Sequence, residues 1–184
     1  MAKVIVGVTT SIDGFFADKS GSSDRLYPDL AALQGSPYMN SLIEETGAVL
    51  MGRRTFAMGD ADWYAGNYEF QVPIFVVTHE PPRVHPKEDE RLTFKFVTDG
   101  VESAVAQAKA AAGDKAVHVV GGAEIAQQLI RAGLFDEIRI DVMPVMLGDG
   151  LRFFGNAGLA ELELETISVQ KVGERSILRF RVRK

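Results

Sequence analysis

Two segments of the chain have residue types and spacing that could bind an anion. The first follows the apolar run 48–51 and consists of Gly52, Arg53, Arg54 and Thr55. The second follows the run 116–120 and consists of Gly121, Gly122, Ala123, Glu124 and Ile125. In each case a buried strand would lead into a helix start, where free backbone N–H groups and a partial positive charge favour a phosphate. Because the first segment carries two arginines, we predict a ligand with a pyrophosphate and one further phosphate.

Two other positions after apolar runs are candidates for the same site. Thr78 and His79 follow one such run, and Asp13 lies shortly after the first. Asp13 is either a turn former or a carboxylate that faces a ligand, and both interpretations stay open. Ligands of open α/β sheets bind outside the carboxyl ends of the strands, so we expect these segments to share one cleft. The alternative for the paired arginines is that both are solvated surface charges.

Alternating strand and helix patterns predict the elements that would position these residues. Apolar runs predict buried strands at 3–10 and 48–51 and further strands at 73–78, 94–97 and 116–120, and a sixth strand is predicted at 137–145. Ser36 and Pro37 predict the start of a helix that ends near Gly47, and apolar faces predict helices at 101–112 and 122–132. The mixed segment 18–35 is predicted to be a loop that covers a pocket.

The C-terminal part of the sequence changes to an alternation of period two. Leu178, Phe180 and Val182 alternate with arginines after a turn near Gly173, which predicts an antiparallel hairpin with one solvated face. Pro144 interrupts the sixth strand and predicts an edge or a bulge there. These patterns together predict an α/β three-layer sandwich with a mostly parallel central sheet and C-terminal antiparallel strands.

Composition limits the class of protein. A chain of 184 residues fits a single domain over 1–184, and its hydrophobic share of 46% is typical of a soluble globular protein. The net charge of −5 argues against nucleic acid as a partner, and no apolar run is long enough to span a membrane. The chain has no cysteine, which fits the cytoplasm. Its three histidines lack ligand spacing, so we expect no metal site.

Several common catalytic motifs are absent from the sequence. There is no complete G-x-G-x-x-G fingerprint and no G-x-x-x-x-G-K-[ST] loop. There is also no G-x-S-x-G segment of the kind that carries the nucleophile of many hydrolases. His118 lies inside a predicted strand, where a histidine is more often a core residue than a catalyst.

An ordered set of short motifs resembles the dihydrofolate reductase-like superfamily. More narrowly, the chain resembles the reductase domain of the bifunctional deaminase-reductase of riboflavin biosynthesis over nearly its whole length. The motifs are Ser11-x-Asp13-Gly14, Gly52-Arg53-x-Thr55, Val120-Gly121-Gly122 and Pro144-x-x-Leu147-Gly148-x-Gly150. The resemblance implies a dihydrofolate reductase-like fold, NADPH as cofactor and a homodimer.

The resemblance also implies roles for individual residues. Arg53, Arg54 and Thr55 would hold the pyrophosphate and the 2′-phosphate of NADPH, and Thr78 and His79 would flank the adenosine end. Residues 121–125 would wrap the pyrophosphate and the nicotinamide ribose. Thr9 and Thr10 would lie near the nicotinamide. The peptide bond between the paired glycines is often cis in the superfamily.

Two departures from the superfamily pattern shape the functional hypothesis. Dihydrofolate reductases place a carboxylate early in the first long helix, whereas here Tyr38 stands there and the acids Glu44 and Glu45 come at the far end. The deaminase half is absent, and no site for a substrate phosphate is identified. We therefore predict an NADPH-dependent oxidoreductase that transfers a hydride to a C=N or C=O bond of a small heterocyclic substrate. Asp13 is the candidate catalytic acid, and Asp149 is a weaker one.

This hypothesis has a specific model reaction and two alternatives. The reaction would resemble that of 5-amino-6-(5-phosphoribosylamino)uracil reductase in riboflavin biosynthesis. One alternative is a non-catalytic protein that binds NADPH or another nucleotide, or sequesters a ligand. The other is dihydrofolate reductase proper.

Overall fold

A mostly parallel eight-stranded sheet lies at the centre of the computed structural model, which describes residues 1–155 and 161–183. The strands are β1 (Val4–Ser11), β2 (Phe15–Ala17), β3 (Thr46–Gly52), β4 (Ile74–Val77), β5 (Phe94–Val97), β6 (Ala116–Val119), β7 (Glu137–Met143), β8 (Leu151–Arg152), β9 (Leu164–Val172) and β10 (Arg175–Val182). Their order in the main sheet is β5-β4-β3-β6-β1-β7-β10-β9, and β2 pairs with β8 separately. The first six strands of that order are parallel, whereas β10 is antiparallel to β7 and β9. The predicted α/β fold is confirmed.

Short and medium helices connect these strands. In the described residues they are α1 (Leu30–Leu33), α2 (Pro37–Glu45), α3 (Arg53–Phe56), α4 (Tyr64–Asn67), α5 (Val101–Ala112) and α6 (Ala123–Arg131). Two 3-10 turns lie at Asp24–Leu26 and Ala61–Trp63. The Ser36 hydroxyl accepts a hydrogen bond from the Met39 N–H, which explains why α2 begins there. None of these helices is long and apolar enough to cross a membrane.

Apolar side chains cover both faces of the central sheet. On one face, Ala108 of α5 and Leu129 of α6 belong to a buried cluster with alternate residues of the parallel strands. On the other face, the rings of Phe56 and Tyr64 stack with centroids 5.4 Å apart in a second buried cluster. Most of the aromatic segment 63–70 therefore anchors the core, although Trp63 stays about half exposed.

The prediction that Pro144 marks an edge strand or a bulge is wrong. β7 lies inside the sheet between β1 and β10, and it ends at Met143 without a break in register. Because Pro144 follows the last residue of the ladder, the sheet does not need the N–H that proline lacks. The helix predicted to reach Gly47 also ends earlier, at Glu45, because Thr46 already begins β3.

The β9–β10 hairpin departs from the predicted pattern of one solvated face only in the first part of β10. Arg175 is fully buried, and the side chain of Arg179 is three-quarters buried between Glu45 and Glu137. Lys3 pairs with the same two glutamates. Acidic partners on α2 and β7 thus cover Arg179, whereas Arg181, further along β10, has a side chain that is 56% exposed, as the alternating pattern predicts. β9 is exposed along most of its length because it is the edge strand.

His118 is a core residue, as the sequence indicated. Its side chain is 1% exposed, and Nδ1 lies 2.7 Å from the hydroxyl oxygen of Thr46. That hydroxyl donates its only proton to the Leu42 carbonyl at 2.7 Å, so the imidazole must donate from Nδ1. Burial lowers the pKa of His118 to about 3. The ring is therefore neutral at physiological pH.

The buried His118 should make the folded state less stable on acidification. An unfolded chain binds a proton at this residue below its ordinary pKa of 6.5, while the folded protein binds it only near pH 3. Above pH 6.5 His118 is neutral in both states and does not make the free energy of unfolding depend on pH. Below pH 6.5 the free energy of unfolding falls by about 1.4 kcal/mol per pH unit as the pH drops towards 3. Urea unfolding of wild type and His118→Phe from pH 4 to 7 should give a stability difference with this slope.

An exposed histidine provides the control for this measurement. His85→Phe changes a solvent-exposed ring and should leave the pH dependence of wild-type stability intact. If the stability of His118→Phe followed the same pH dependence as wild type, the buried neutral imidazole would not be the cause.

Candidate functional site

A cleft of about 1550 Å³ borders the carboxyl ends of the parallel strands. Most of the residues predicted to bind the cofactor line it, namely Thr9, Gly52, Arg53, Arg54, Thr55, Thr78, His79, Gly121, Gly122, Ala123, Glu124 and Ile125. Thr10 is buried and is not among the described lining residues. Successive side chains of a strand face opposite sides, so Thr10 is turned away from the side that Thr9 faces. The helical segment at Leu30 and Leu33, within the predicted covering loop, also lines the cleft.

The two glycine-containing segments touch at the centre of this cleft. We call residues 52–55 and 121–125 together the glycine cradle. The Thr55 hydroxyl accepts a hydrogen bond from the Gly122 N–H at 3.0 Å. Gly121 has a φ of +96°, and a Cβ at this position would lie 2.1 Å from the Thr55 hydroxyl oxygen. Only glycine allows this close approach. The expected cis peptide is absent, because the described residues contain trans peptide bonds only.

The glycine cradle presents unpaired donors and positive charge to the cleft. α6 has no side-chain cap at its N-terminus, so its first N–H groups remain free to bind a ligand. Arg53 and Arg54 are exposed, and neither takes part in the ion pairs formed by the described residues. Glu124 in the first turn of α6 offsets part of this positive potential. The arrangement suits an extended anion such as a pyrophosphate.

Asp13 is tied to the backbone of a neighbouring loop. Its carboxylate oxygens accept hydrogen bonds from the N–H of Gly148 at 2.7 Å and of Leu147 at 3.2 Å. The Ser11 hydroxyl also donates to it, and mainly for that reason the pKa of Asp13 falls to about 2. An acid that stays ionised at neutral pH is a poor proton donor. The geometry therefore favours a structural role for Asp13, and its catalytic role stays a prediction.

The weaker acid candidate, Asp149, also has a partner. Its carboxylate lies 2.7 Å from Nζ of Lys19, and both side chains are largely exposed. The hydrogen bond from Lys19 lowers the pKa of Asp149. Asp149 does line the cleft, but at its solvent-exposed rim.

The opposite part of the cleft contains polar residues of which only Thr9 was among the predicted site residues. We call this part the inner pocket; it is formed by Thr9, Tyr38, Arg139, Asp141 and Arg175. The Tyr38 hydroxyl lies 2.9 Å and 3.1 Å from the two carboxylate oxygens of Asp141. Arg139 Nε lies 3.6 Å from Asp141 Oδ1. Burial raises the pKa of Asp141, although Arg139 and the Tyr38 hydrogen bond oppose the rise.

Arg175 forms one wall of the inner pocket. Its Nε and Nη2 donate to the two carboxylate oxygens of Asp29 at 2.8 Å and 2.7 Å. It also donates to the Leu26 carbonyl at 2.9 Å and to the Thr9 hydroxyl at 3.3 Å, and its guanidinium lies 5.0 Å from the Tyr27 ring centroid. Hydrogen bonding to Arg175 lowers the pKa of Asp29. These contacts join β10 to β1 and to the segment before α1.

One signal in the sequence could have revealed the inner pocket. Glu137, Arg139 and Asp141 alternate along the sixth predicted strand, which lies inside the sheet as β7. Three charged residues on one face of an interior strand require polar partners or a polar ligand. Tyr38, the partner of Asp141, lies 103 positions away, and no local pattern connects the two.

The described residues contain no group of three or more His, Asp or Glu side chains placed to hold a metal ion. The polar groups of the cleft include arginines, threonines, tyrosines, glutamines, a histidine, a serine and four acids, together with backbone N–H groups. This set can bind anions and hydrogen-bond a polar ring.

Comparison with known sequences connects this chain to one family. Residues 2–178 match the family described as the RibD C-terminal domain. The chain is 27% identical over 152 residues to the uncharacterized protein YwjB of Bacillus subtilis strain 168. That alignment covers 83% of this chain and 82% of YwjB.

Solved structures share the fold at low sequence identity. A Shewanella sp. PV-4 protein provisionally assigned to riboflavin biosynthesis has a TM-score of 0.77 and 23% identity, with 99% of both chains covered. A Thermotoga maritima diaminohydroxyphosphoribosylaminopyrimidine deaminase/5-amino-6-(5-phosphoribosylamino)uracil reductase has a TM-score of 0.71 and 14% identity, with 98% of this chain and 56% of that chain covered. An Enterococcus faecalis dihydrofolate reductase complexed with NADP(H) has a TM-score of 0.65 and 15% identity, with 99% and 97% covered.

Proposed function

Since the chain belongs to the RibD C-terminal domain family, we propose that it is an NADPH-dependent reductase of a small heterocyclic substrate. The single observation that carries this proposal is the glycine cradle, where an uncapped helix start lies beside two exposed arginines. The cradle opens into the same cleft as a buried polar pocket. A cofactor and a substrate can therefore occupy adjacent parts of one cleft.

The residues of the glycine cradle fit the phosphate groups of NADPH. The free N–H groups at the start of α6 would bind the pyrophosphate, with Thr55 holding Gly122 in place. Arg53 and Arg54 would bind the 2′-phosphate, because guanidinium groups form strong paired hydrogen bonds with phosphate oxygens. Thr78 and His79 would flank the adenosine, and Thr9 would lie near the nicotinamide.

The protein would contribute mainly by positioning the reacting groups. NADPH supplies a hydride when it is bound. The chain would hold a C=N or C=O bond of the substrate beside the cofactor, and such alignment is worth about 7–11 kcal/mol in favourable cases. Solvent or an acid in the cleft would supply the proton, and Asp13 is poorly suited to that task because its pKa is low.

We also propose that the protein is a homodimer and that it is located in the cytoplasm. The resemblance to riboflavin-pathway reductases supports a homodimer, and the absence of cysteine is compatible with the cytoplasm. Sedimentation equilibrium measures the assembly directly. A mass close to the chain mass of 20.1 kDa would contradict the dimer.

Replacing Arg53 with alanine should weaken the binding of NADPH by about 10-fold to 100-fold, the usual effect of losing hydrogen bonds to a charged group. The dissociation constant for NADH should change much less, because NADH lacks the 2′-phosphate. Fluorescence titration with both cofactors measures the two constants. Arg83→Ala, which removes an exposed arginine outside the cleft, should change neither.

This titration, together with assays of NADPH oxidation and of dihydrofolate turnover, separates the functional alternatives. Equal effects of Arg53→Ala on NADPH and NADH would remove the 2′-phosphate assignment. Binding of NADPH without oxidation by any aminopyrimidine, pterin or carbonyl compound would favour a non-catalytic binding protein. Turnover of dihydrofolate would favour dihydrofolate reductase proper.

A further inference from the structure

A second cavity of about 470 Å³ lies beside the main cleft, and the proposed function makes no use of it. We call it the aromatic cavity; its lining includes Asp60, Trp63, Tyr64, Tyr68 and Glu69. Among the described residues, Tyr68 and Glu69 border the main cleft as well, whereas the other three line only the aromatic cavity. The aromatic cavity is therefore a neighbour of the cleft with walls of its own.

Three aromatic rings bound the aromatic cavity at steep angles to one another. The ring centroids of Trp63 and Tyr64 are 5.7 Å apart with planes at 74°, and those of Tyr64 and Tyr68 are 5.2 Å apart at 73°. The centroids of Trp63 and Tyr68 are 6.4 Å apart at 53°. Rings in this arrangement do not stack on one another, so they can form separate walls around a guest. The negative face of an aromatic ring attracts a cation.

Trp63 is the wall that core packing does not explain. It is 47% exposed, whereas Tyr64 is 4% exposed and belongs to the buried cluster on that side of the sheet. Met58, which also lines the aromatic cavity, is 77% exposed. Exposed apolar side chains that border one cavity are typical of a binding site rather than of a core anchor.

The charged side chains that line the aromatic cavity in the described structure are all acidic. They are Asp60 and Glu69, with no lysine, arginine or histidine beside them. Glu69 takes part in none of the ion pairs formed by the described residues. Although Glu69 is exposed as a residue, neighbouring groups hold water away from its carboxylate, which raises its pKa. A cation in the cavity would offset this cost, whereas a phosphate would be repelled.

The groups of the aromatic cavity also select the kind of cation. A hard metal ion needs several oxygen ligands, and no described cluster of three or more His, Asp or Glu side chains is placed to supply them. A primary ammonium group has three N–H donors to satisfy. Asp60 already accepts a hydrogen bond from the Asp62 N–H at 3.0 Å, which leaves Glu69 as the main acceptor. A quaternary ammonium group has no N–H donor and binds well to aromatic faces.

We propose that the aromatic cavity binds a quaternary ammonium group. The methyl groups of this ligand would lie against the rings of Trp63, Tyr64 and Tyr68, and the Glu69 carboxylate would lie beside its positive charge. The site is separate from the glycine cradle and from the inner pocket. It does not depend on the proposed reductase function.

Two probes of the same shape test this inference. Choline carries a quaternary ammonium group, whereas 3,3-dimethylbutan-1-ol has a neutral carbon in place of the nitrogen. In NMR titrations that follow the methyl signals, choline should bind wild type at least about 10-fold more tightly than the alcohol. Trp63 is the single tryptophan of the chain, so choline should also change the intrinsic tryptophan fluorescence.

Three variants assign this preference to the aromatic cavity. Trp63→Leu should reduce the preference for choline to about two-fold or less, while Trp63→Phe keeps a ring face and should retain most of it. Glu69→Gln should weaken the binding of choline roughly 5-fold and leave the binding of the alcohol unchanged. The dissociation constant of Trp63→Leu for NADPH should stay within about two-fold of wild type, because Trp63 is not among the described residues that line the main cleft.

Each outcome supports or overturns the inference. Equal binding of choline and 3,3-dimethylbutan-1-ol to wild type, or no binding of choline, would overturn it without any variant. A preference that Trp63→Leu retains in full would show that choline binds elsewhere, which would also overturn it. Binding of choline that depends on Trp63 and Glu69, in a protein that does not bind NADPH, would support the inference and contradict the proposed reductase.

Discussion

Replacing Arg175 with alanine should lower the free energy of unfolding by about 3 kcal/mol. The substitution removes a fully buried guanidinium and leaves the Asp29 carboxylate and the Leu26 carbonyl without their donor. Breaking a buried pair costs about 3–5 kcal/mol, and we expect the lower end because the Asp29 side chain is still 22% exposed. Urea unfolding at pH 7 measures this loss.

An exposed arginine on the same strand hairpin supplies the control for this prediction. Arg183 lies 3.8 Å from Glu163 in a solvated pair, so Arg183→Ala should lower the stability by less than about 1 kcal/mol. The Asp29 pKa is lowered in the folded protein, so its stabilising effect is present above pH 3.8 and is lost as the pH falls further. That part of the acid sensitivity should vanish in Arg175→Ala. Similar losses for the two variants would show that Arg175 is not a buried structural cation.

Replacing Gly121 with alanine should destabilise the fold by about 2 kcal/mol and weaken NADPH binding by at least about 10-fold. The residue has a φ of +96°, which an alanine adopts only with strain, and the added methyl would lie 2.1 Å from the Thr55 hydroxyl oxygen. Thr55 would have to move, and its hydroxyl would lose the hydrogen bond that it accepts from the Gly122 N–H. The uncapped start of α6 would lose its orientation. Thermal unfolding and fluorescence titration measure the two effects.

The neighbouring glycine is the matched control for Gly121. Gly122 has a φ of −57°, and a Cβ there would be 3.9 Å from the nearest atom of Thr55. Gly122→Ala should therefore change the stability by less than about 1 kcal/mol. If both alanine variants unfolded at the same temperature as wild type, the close approach of Thr55 to Gly121 would not affect the stability of the fold.

The parallel sheet could be predicted from the sequence because its signals are local. Most parallel strands of the core are apolar runs, although β7 carries three charged residues, and the helices α2 and α5 carry a cap or an apolar face within a few residues. The glycine segments were also visible, since each directly follows such a run. That the two segments lie in one cleft could be predicted because ligands of open α/β sheets bind outside the carboxyl ends of the strands. No residue pair in the sequence indicates their contact.

The alternating charges of β7 are a local signal of the inner pocket, but the contacts within the pocket could not be predicted because they are long-range. Arg175 follows the predicted turn near Gly173, yet its partners Asp29 and Thr9 lie 146 and 166 positions away. Period-two alternation shows which residues share a face but not which face is covered. The prediction from Pro144 was wrong for a related reason. Proline disrupts a strand only where its missing N–H would be needed in the hydrogen-bonded ladder, and β7 ends one residue earlier, at Met143.

The contact between Thr9 and Arg175 has a consequence for how the protein matures on the ribosome. The parallel strands and both glycine segments are synthesised well before residue 175 emerges. Because of this order, the glycine cradle can form on a nascent chain while the opposite wall of the cleft is still missing. Under the proposed function, retention of NADPH by a newly made chain would therefore not show that the chain can yet select its substrate.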